Sequence, residues 1–259
     1  AKQFSANNIA ALIYDKRGVG GSGGVYTETP KMELPASDLV AAVQYLKSRS
    51  EVNPLKIGVY GHSQGGWVAP LAATMSNDIK FLVVSCGGGF SIKKQILYAN
   101  RTELKNKGFT ESEIEEMVTF ASPFYDYLGT GLHYENASKL YNEHKNKSWF
   151  VYFKSLGFGE TIPRPESLSH PVFDFFRAIQ YDPMMTEKSL TIPTLVMLGE
   201  KDVIVPSVLV ETAWKTSFEG KNNLTTKILS NEDHYDFVRS DGNVVYKQSF
   251  KKPLMEWLK

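Results

Sequence analysis

Apolar positions along this chain fall into short unbroken runs separated by longer stripes at helical spacing. Residues 9–14, 56–60, 81–85 and 194–198 are compact, mainly apolar runs, the kind that strands show when a parallel sheet is covered on both faces, and 225–229 reads as a further strand. Residues 37–50 place Val40, Val43 and Leu46 on one stripe, with Pro35 just ahead, and read as a helix. Residues 66–73 read as the first turns of a packed helix, and 252–258 as a final one. Strands and helices alternate, so the pattern predicts an α/β class with a doubly wound, mainly parallel sheet.

Between Gly89 and Thr191 the character changes to helical periodicity without a clear strand. Thr110-Glu111-Ser112-Glu113 is a capping box, and Ile114, Met117, Val118 and Ala121 follow at helical spacing. Trp149, Phe150, Tyr152, Phe153, Phe158, Phe173, Phe175 and Phe176 make the stretch 149–176 aromatic. An insertion this long between two core strands predicts a helical lid over 89–190, with the core formed by 1–88 and 191–259. The aromatics are expected mainly as lid core, some of them as an acyl or aryl pocket.

Composition narrows the classes. The 259 residues suffice for one large domain or a domain with an inserted lobe. A net charge of +1 argues against a nucleic-acid partner. No apolar run reaches the length of a bilayer span. A single cysteine, Cys86, excludes an internal disulfide and a CxxC metal site, and reads as a small buried side chain. The compartment is left open, because many secreted proteins lack disulfides.

The chemistry sits in Gly61-His62-Ser63-Gln64-Gly65, between a predicted strand and a predicted helix. That context makes G-x-S-x-G a nucleophile elbow. Glycines at 61 and 65 are expected to relieve the collisions of so sharp a turn. A serine hydroxyl needs a base, which histidine supplies near neutral pH, and the imidazole needs a carboxylate to fix its tautomer. In such a sheet these groups lie past the carboxyl ends of strands, in the chain order Ser, acid, His. Asp202, in the turn after 194–198, is the candidate acid and is favoured over Glu200. Of the five histidines only His234 follows it. His133, His144 and His170 fall in the helical insert. His62 is expected to fill space beside the elbow, since adjacent side chains diverge. Asp233 and Asp236 flank His234 too closely to hold its ring from behind.

Gly18-x-Gly20-x-x-Gly23 matches the dinucleotide fingerprint, but residues 25–30 intervene before any helix, so Asp15 and Arg17 are expected to brace a turn instead.

The constellation resembles the α/β-hydrolase superfamily over nearly the whole chain. Tyr14-Asp15-Lys16-Arg17-Gly18-Val19-Gly20-Gly21-Ser22 is similar to that family's turn after its fourth strand, Gly61–Gly66 to its elbow, and Gly199-Glu200-Lys201-Asp202 to its acid turn. The subgroup it most resembles holds lidded bacterial serine esterases, related to acyl-CoA thioesterase/bile-acid acyltransferase hydrolases and to the serine aminopeptidase-like group. The resemblance implies Ser63 as nucleophile, Asp202 as acid, His234 as base and the Gln64 backbone N–H as an oxyanion donor. Three strands and a histidine-glycine oxyanion loop precede residue 9 in the family pattern and are not present. A longer natural chain, or a second copy completing the sheet, is therefore expected.

The sequence thus predicts a serine hydrolase acting on a small acyl substrate, a carboxylic ester, with no cofactor and no metal. Thioester hydrolysis, acyl transfer and peptide hydrolysis use the same triad. The rival from another class is a non-catalytic fragment lacking the oxyanion loop. Activity is expected to fall on acidification as His234 takes up a proton.

Overall fold

The computed structural model describes residues 2–26, 31–154, 158, 160–164, 166, 171–240 and 243–259. In chain order the main elements are α1 (Glu33–Lys47), β1 (Gly58–His62), α2 (Gly65–Met75), β2 (Phe81–Ser85), α3 (Ile92–Asn106), α4 (Glu111–Thr130), α5 (Tyr134–His144), α6 (Met184–Ser189), β3 (Thr194–Gly199), α7 (Ser207–Ser217), β4 (Leu224–Leu229), β5 (Phe237–Ser240), β6 (Asn243–Tyr246) and α8 (Gln248–Trp257). They fall into two compact units. One comprises the stretch up to Tyr26, Met32–Phe90 and Pro183–Lys259; the other centres on Ser91–Asp182.

The first unit carries a parallel sheet in the order β1-β2-β3-β4. Gly58 pairs with Phe81 and His62 with Ser85, so β1 and β2 end level. Every residue of β3 is buried, as a central strand covered on both faces requires. Val83, Cys86, Leu195 and Met197 pack against Phe250 and Leu254 of α8. β5 and β6 form a separate antiparallel hairpin.

Several boundaries differ from the sequence reading. Residues 9–14 form no strand: they join no sheet, and Ile13 is 73% exposed. An apolar run becomes a strand only by pairing, and β2 is the one described strand beside β1. The run at 56–60 is displaced: residues 54–56 form a short 3₁₀ turn capped by Asn53, and the strand runs on to His62. α1 begins ahead of Pro35, which sits in its first turn, where its missing N–H costs nothing. The final helix starts at Gln248.

The glycine-rich turn is braced from within. The Gly21 N–H donates to Asp15 Oδ2 at 2.9 Å, and Ser22 Oγ to the Asp15 carbonyl at 2.7 Å. Arg17 makes a forked ion pair with Asp38 of α1, with Nε–Oδ2 at 3.1 Å. No helix opens at these glycines. The neighbouring cavity of about 370 Å³ presents the carboxylates of Asp15 and Asp38, which would repel a pyrophosphate, and its arginine is already paired.

The second unit is helical. The Thr110–Glu113 capping box opens α4, and Gly131 in the left-handed region (φ 72°) closes it. Ile114, Met117 and Ala121 are buried, with Val118 half-buried. Phe120 lies 4.9 Å from both Phe124 and Phe153 between ring centres, and Trp149 and Phe150 are buried against it. Phe173 and Phe176 are buried and Phe158 is half-buried. These rings are the unit's own core. His144 Nδ1–H donates to the Leu140 carbonyl at 2.8 Å, and His133 caps α5 from the left-handed region. His170 and the side chains of Tyr152 and Phe175 lie outside the described residues. No described helix is long and apolar enough to cross a membrane.

Candidate active site

The site is built where β1, β2, β3 and β4 end. β1 stops at His62 and the chain turns at once into α2, leaving Ser63 in the left-handed region at φ 53°. That conformation is strained for a residue with a Cβ and persists only when its surroundings fix it. Here the Ser63 N–H donates to the Ser85 carbonyl at the end of β2 (2.9 Å), and the Gly66 N–H donates to the Ser63 carbonyl (2.8 Å). A Cβ at Gly61 would stand 2.2 Å from the Gly65 carbonyl oxygen, and one at Gly66 2.5 Å from the backbone of Gly87. A Cβ at Gly87 would in turn stand 2.2 Å from the Ser63 carbonyl oxygen. Gly61 therefore plays the part expected of it. Gly65 does not, because a Cβ there meets no described atom within 4 Å; the close approach falls on Gly66 and Gly87.

Asp202 lies in the turn after β3. Its Oδ1 accepts the N–H groups of Ile204 and Val205, both at 2.8 Å. Its Oδ2 accepts from His234 Nδ1–H at 2.8 Å. The carboxylate fixes the proton on Nδ1, so Nε2 is the acceptor, and Ser63 Oγ–H donates to it at 2.9 Å. Asp202 and His234 are buried. Gly199, at the end of β3, lets the acid turn and the base loop pack backbone to backbone: a Cβ there would lie 2.2 Å from the Asp233 carbonyl oxygen. The structure thus brings Ser63, Asp202 and His234 into one hydrogen-bonded line.

The rival carboxylates have other partners. Glu200 Oε2 accepts the Asn231 N–H at 2.8 Å. Asp233 pairs with Lys247 at 2.7 Å, and this hydrogen bond holds its carboxyl below the usual range. Asp236, buried, accepts from the Tyr60 hydroxyl. Burial pushes the Tyr60 phenol far up, and the neighbouring Tyr246 and Asp236 charges push the same way.

Gln64 caps α2, where the helix dipole is positive, and its side-chain Oε1 accepts from Lys16 Nζ at 2.8 Å. His62 does more than fill space. Its Nε2–H donates to the His234 carbonyl at 2.9 Å, and the two rings lie 5.2 Å apart. Local sequence geometry could not show this, because the partner is 172 residues away.

Cys86 lies behind the pair; its sulfur, a carboxylate oxygen of Asp202 and a ring nitrogen of His234 fall within 4.8 Å of one another. As metal donors they are poorly poised. The two His234 nitrogens and both Asp202 oxygens already hold hydrogen bonds. Burial, reinforced by the Asp202 charge, pushes the thiol up to about 12, so the thiolate ligand form is disfavoured. Native protein is therefore expected to resist iodoacetamide from about pH 7 to 9, and denatured protein to react at one site, by intact-mass measurement. The raised value also means that Cys86 favours the fold below the unfolded thiol's titration and loses that contribution as pH climbs towards 12.

The family model described as serine aminopeptidase, S33, matches residues 1–123. Across the fold, the α/β hydrolase GrgF from Penicillium sp. sh18 superposes with a TM-score of 0.58 at 18% identity, covering 100% of this chain and 82% of that one. The chain has the α/β-hydrolase fold. The Pyrococcus furiosus esterase Pf2001 gives a TM-score of 0.50 at 20% identity, over 94% of this chain and 68% of its own. The thiohydrolase apmlB of Arthrinium phaeospermum is 32% identical over 83 residues, 32% of this chain and 27% of apmlB. That match spans about a quarter of the curated relative's length. The mostly parallel sheet with helices around it is that fold's arrangement.

Proposed function

We propose that this α/β hydrolase is a serine hydrolase that cleaves carboxylic esters through an acyl-enzyme on Ser63. The observation that carries the reading is the continuous line Ser63 Oγ–His234 Nε2 and His234 Nδ1–Asp202 Oδ2, at 2.9 and 2.8 Å. As Oγ attacks the acyl carbonyl, its proton passes to Nε2. Asp202 stabilises the imidazolium so formed. The carbonyl oxygen becomes an oxyanion, for which the Gln64 N–H at the start of α2 is the proposed donor. Collapse breaks the bond to the leaving alkoxide, which takes the proton from Nε2 and departs as the alcohol. Water then attacks the acyl-serine, giving its proton to Nε2; the acid leaves and Ser63 recovers its proton.

The same steps serve a thiol or an amine leaving group. The likeness to a protein named as a thiohydrolase supports thioester hydrolysis as the second reading, and the aminopeptidase model peptide hydrolysis. The helical insert, taken as 89–190 between core segments 1–88 and 191–259, is proposed to be the lid that selects the acyl group.

A fluorophosphonate probe is expected to add to Ser63, identified by peptide mass spectrometry. Turnover of p-nitrophenyl esters is expected to exceed that of acyl-CoA and aminoacyl anilides. An unlabelled Ser63 in protein that is folded and soluble would contradict the mechanism and favour a non-catalytic role.

A further inference from the structure

Tyr60 and His62 are two residues apart on β1 and so face the same side. Both reach the segment that follows β4. His62 Nε2–H donates to the His234 carbonyl at 2.9 Å, and the Tyr60 hydroxyl donates to the buried carboxylate of Asp236. Tyr246, on β6, places its own hydroxyl 2.9 Å from that of Tyr60. Residues 230–236 form turns and bends with no strand of their own, so their position depends on such tethers. The residue after His62 is Ser63 itself. One strand end therefore holds the backbone of residue 234 and delivers the hydroxyl its ring must meet.

We propose that His62 is a positioning residue for His234: it fixes the backbone of the base while Asp202 fixes the ring. This rests on the reading of Ser63 and His234 as nucleophile and base. A carbonyl oxygen only accepts, so His62 must keep its proton on Nε2 for the tether to exist. No hydrogen bond links its ring to Ser63, and it takes no proton in the reaction. The tether matters because proton transfer depends on sub-ångström placement, and a 1 Å misplacement costs about a hundredfold. The Tyr60–Asp236 bond anchors the same segment two residues on, so loss of the His62 tether moves residue 234 locally without releasing the loop.

The test compares His62→Phe with His62→Gln, whose amide N–H can reach the same carbonyl, in the full chain. Rates are normalised to the sites that a fluorophosphonate titrates, so a fraction of unfolded protein does not count. His62→Phe is expected to lower kcat per titrated site by about 10- to 100-fold with KM changed less than about twofold. His62→Gln is expected to recover to within about threefold of the wild type. A His62→Phe enzyme at wild-type kcat, or a His62→Gln enzyme as slow as the phenylalanine variant, overturns the proposal. NMR of ¹⁵N-histidine-labelled protein reads the same tether without turnover. His62 is expected as the Nε2–H tautomer, with the His234 ring signals displaced in His62→Phe and restored in His62→Gln. If the wild type neither turns over nor labels, the hydrolase reading fails while the spectra still decide the tether, and unmoved His234 signals would sink it.

Discussion

Ser63→Ala is expected to lower ester kcat by about 10⁵- to 10⁶-fold, because the acyl-enzyme has no other oxygen on which to form. The variant should nevertheless fold. Alanine keeps the Cβ and so keeps the strain of φ 53°, and it forfeits only the one hydrogen bond to His234 Nε2. Such a bond contributes about 0.5–1.5 kcal/mol, a shift of a few degrees in melting temperature. Ser63→Gly separates strain from chemistry more sharply. Glycine occupies the left-handed region freely, so this variant should melt above Ser63→Ala while being equally inactive. The two results together would show that the elbow holds its serine at a cost in stability for the sake of its place beside the imidazole. Turnover of Ser63→Ala within tenfold of wild type would require a different nucleophile.

The sheet was legible where burial on both faces wrote itself into composition. Phe81-Leu82-Val83-Val84 is apolar throughout and, with the buried Ser85, is β2 to the residue. The run at 9–14 has the same look and fails, because pairing depends on a neighbour that composition does not name. The β5–β6 hairpin went unseen, since each strand has only four residues. The signal that could have found it is Asp241-Gly242 between two short apolar stretches. Ser63, Asp202 and His234 could be picked out because each follows a strand in a fixed order, and the structure places them together. His62 and Gly66 could not. Their importance comes from contacts with residues 234 and 87, distant in sequence and close only in the fold.

Asp202→Asn is expected to lower kcat by about 10⁴-fold with little change in KM, and this structure dictates why. Oδ1 of Asp202 is committed to two backbone N–H groups, of Ile204 and Val205. An asparagine must put its carbonyl oxygen there, because an NH₂ group facing two donors would leave all three unpaired. Its NH₂ then occupies the Oδ2 place and donates to His234 Nδ1. The imidazole is forced to carry its proton on Nε2, where it donates to Ser63 Oγ in place of accepting from it. The base is lost although the geometry survives. ¹⁵N NMR of labelled His234 should report the exchange directly, Nδ1–H in the wild type and Nε2–H in the variant. Glu200→Gln, one turn away, leaves this chain of bonds untouched and should stay within a few-fold of wild type. If Glu200→Gln were the more damaging of the two, the acid would be Glu200, and the inward hold on His234 would have to come from a conformation in which the Asn231 N–H releases that carboxylate.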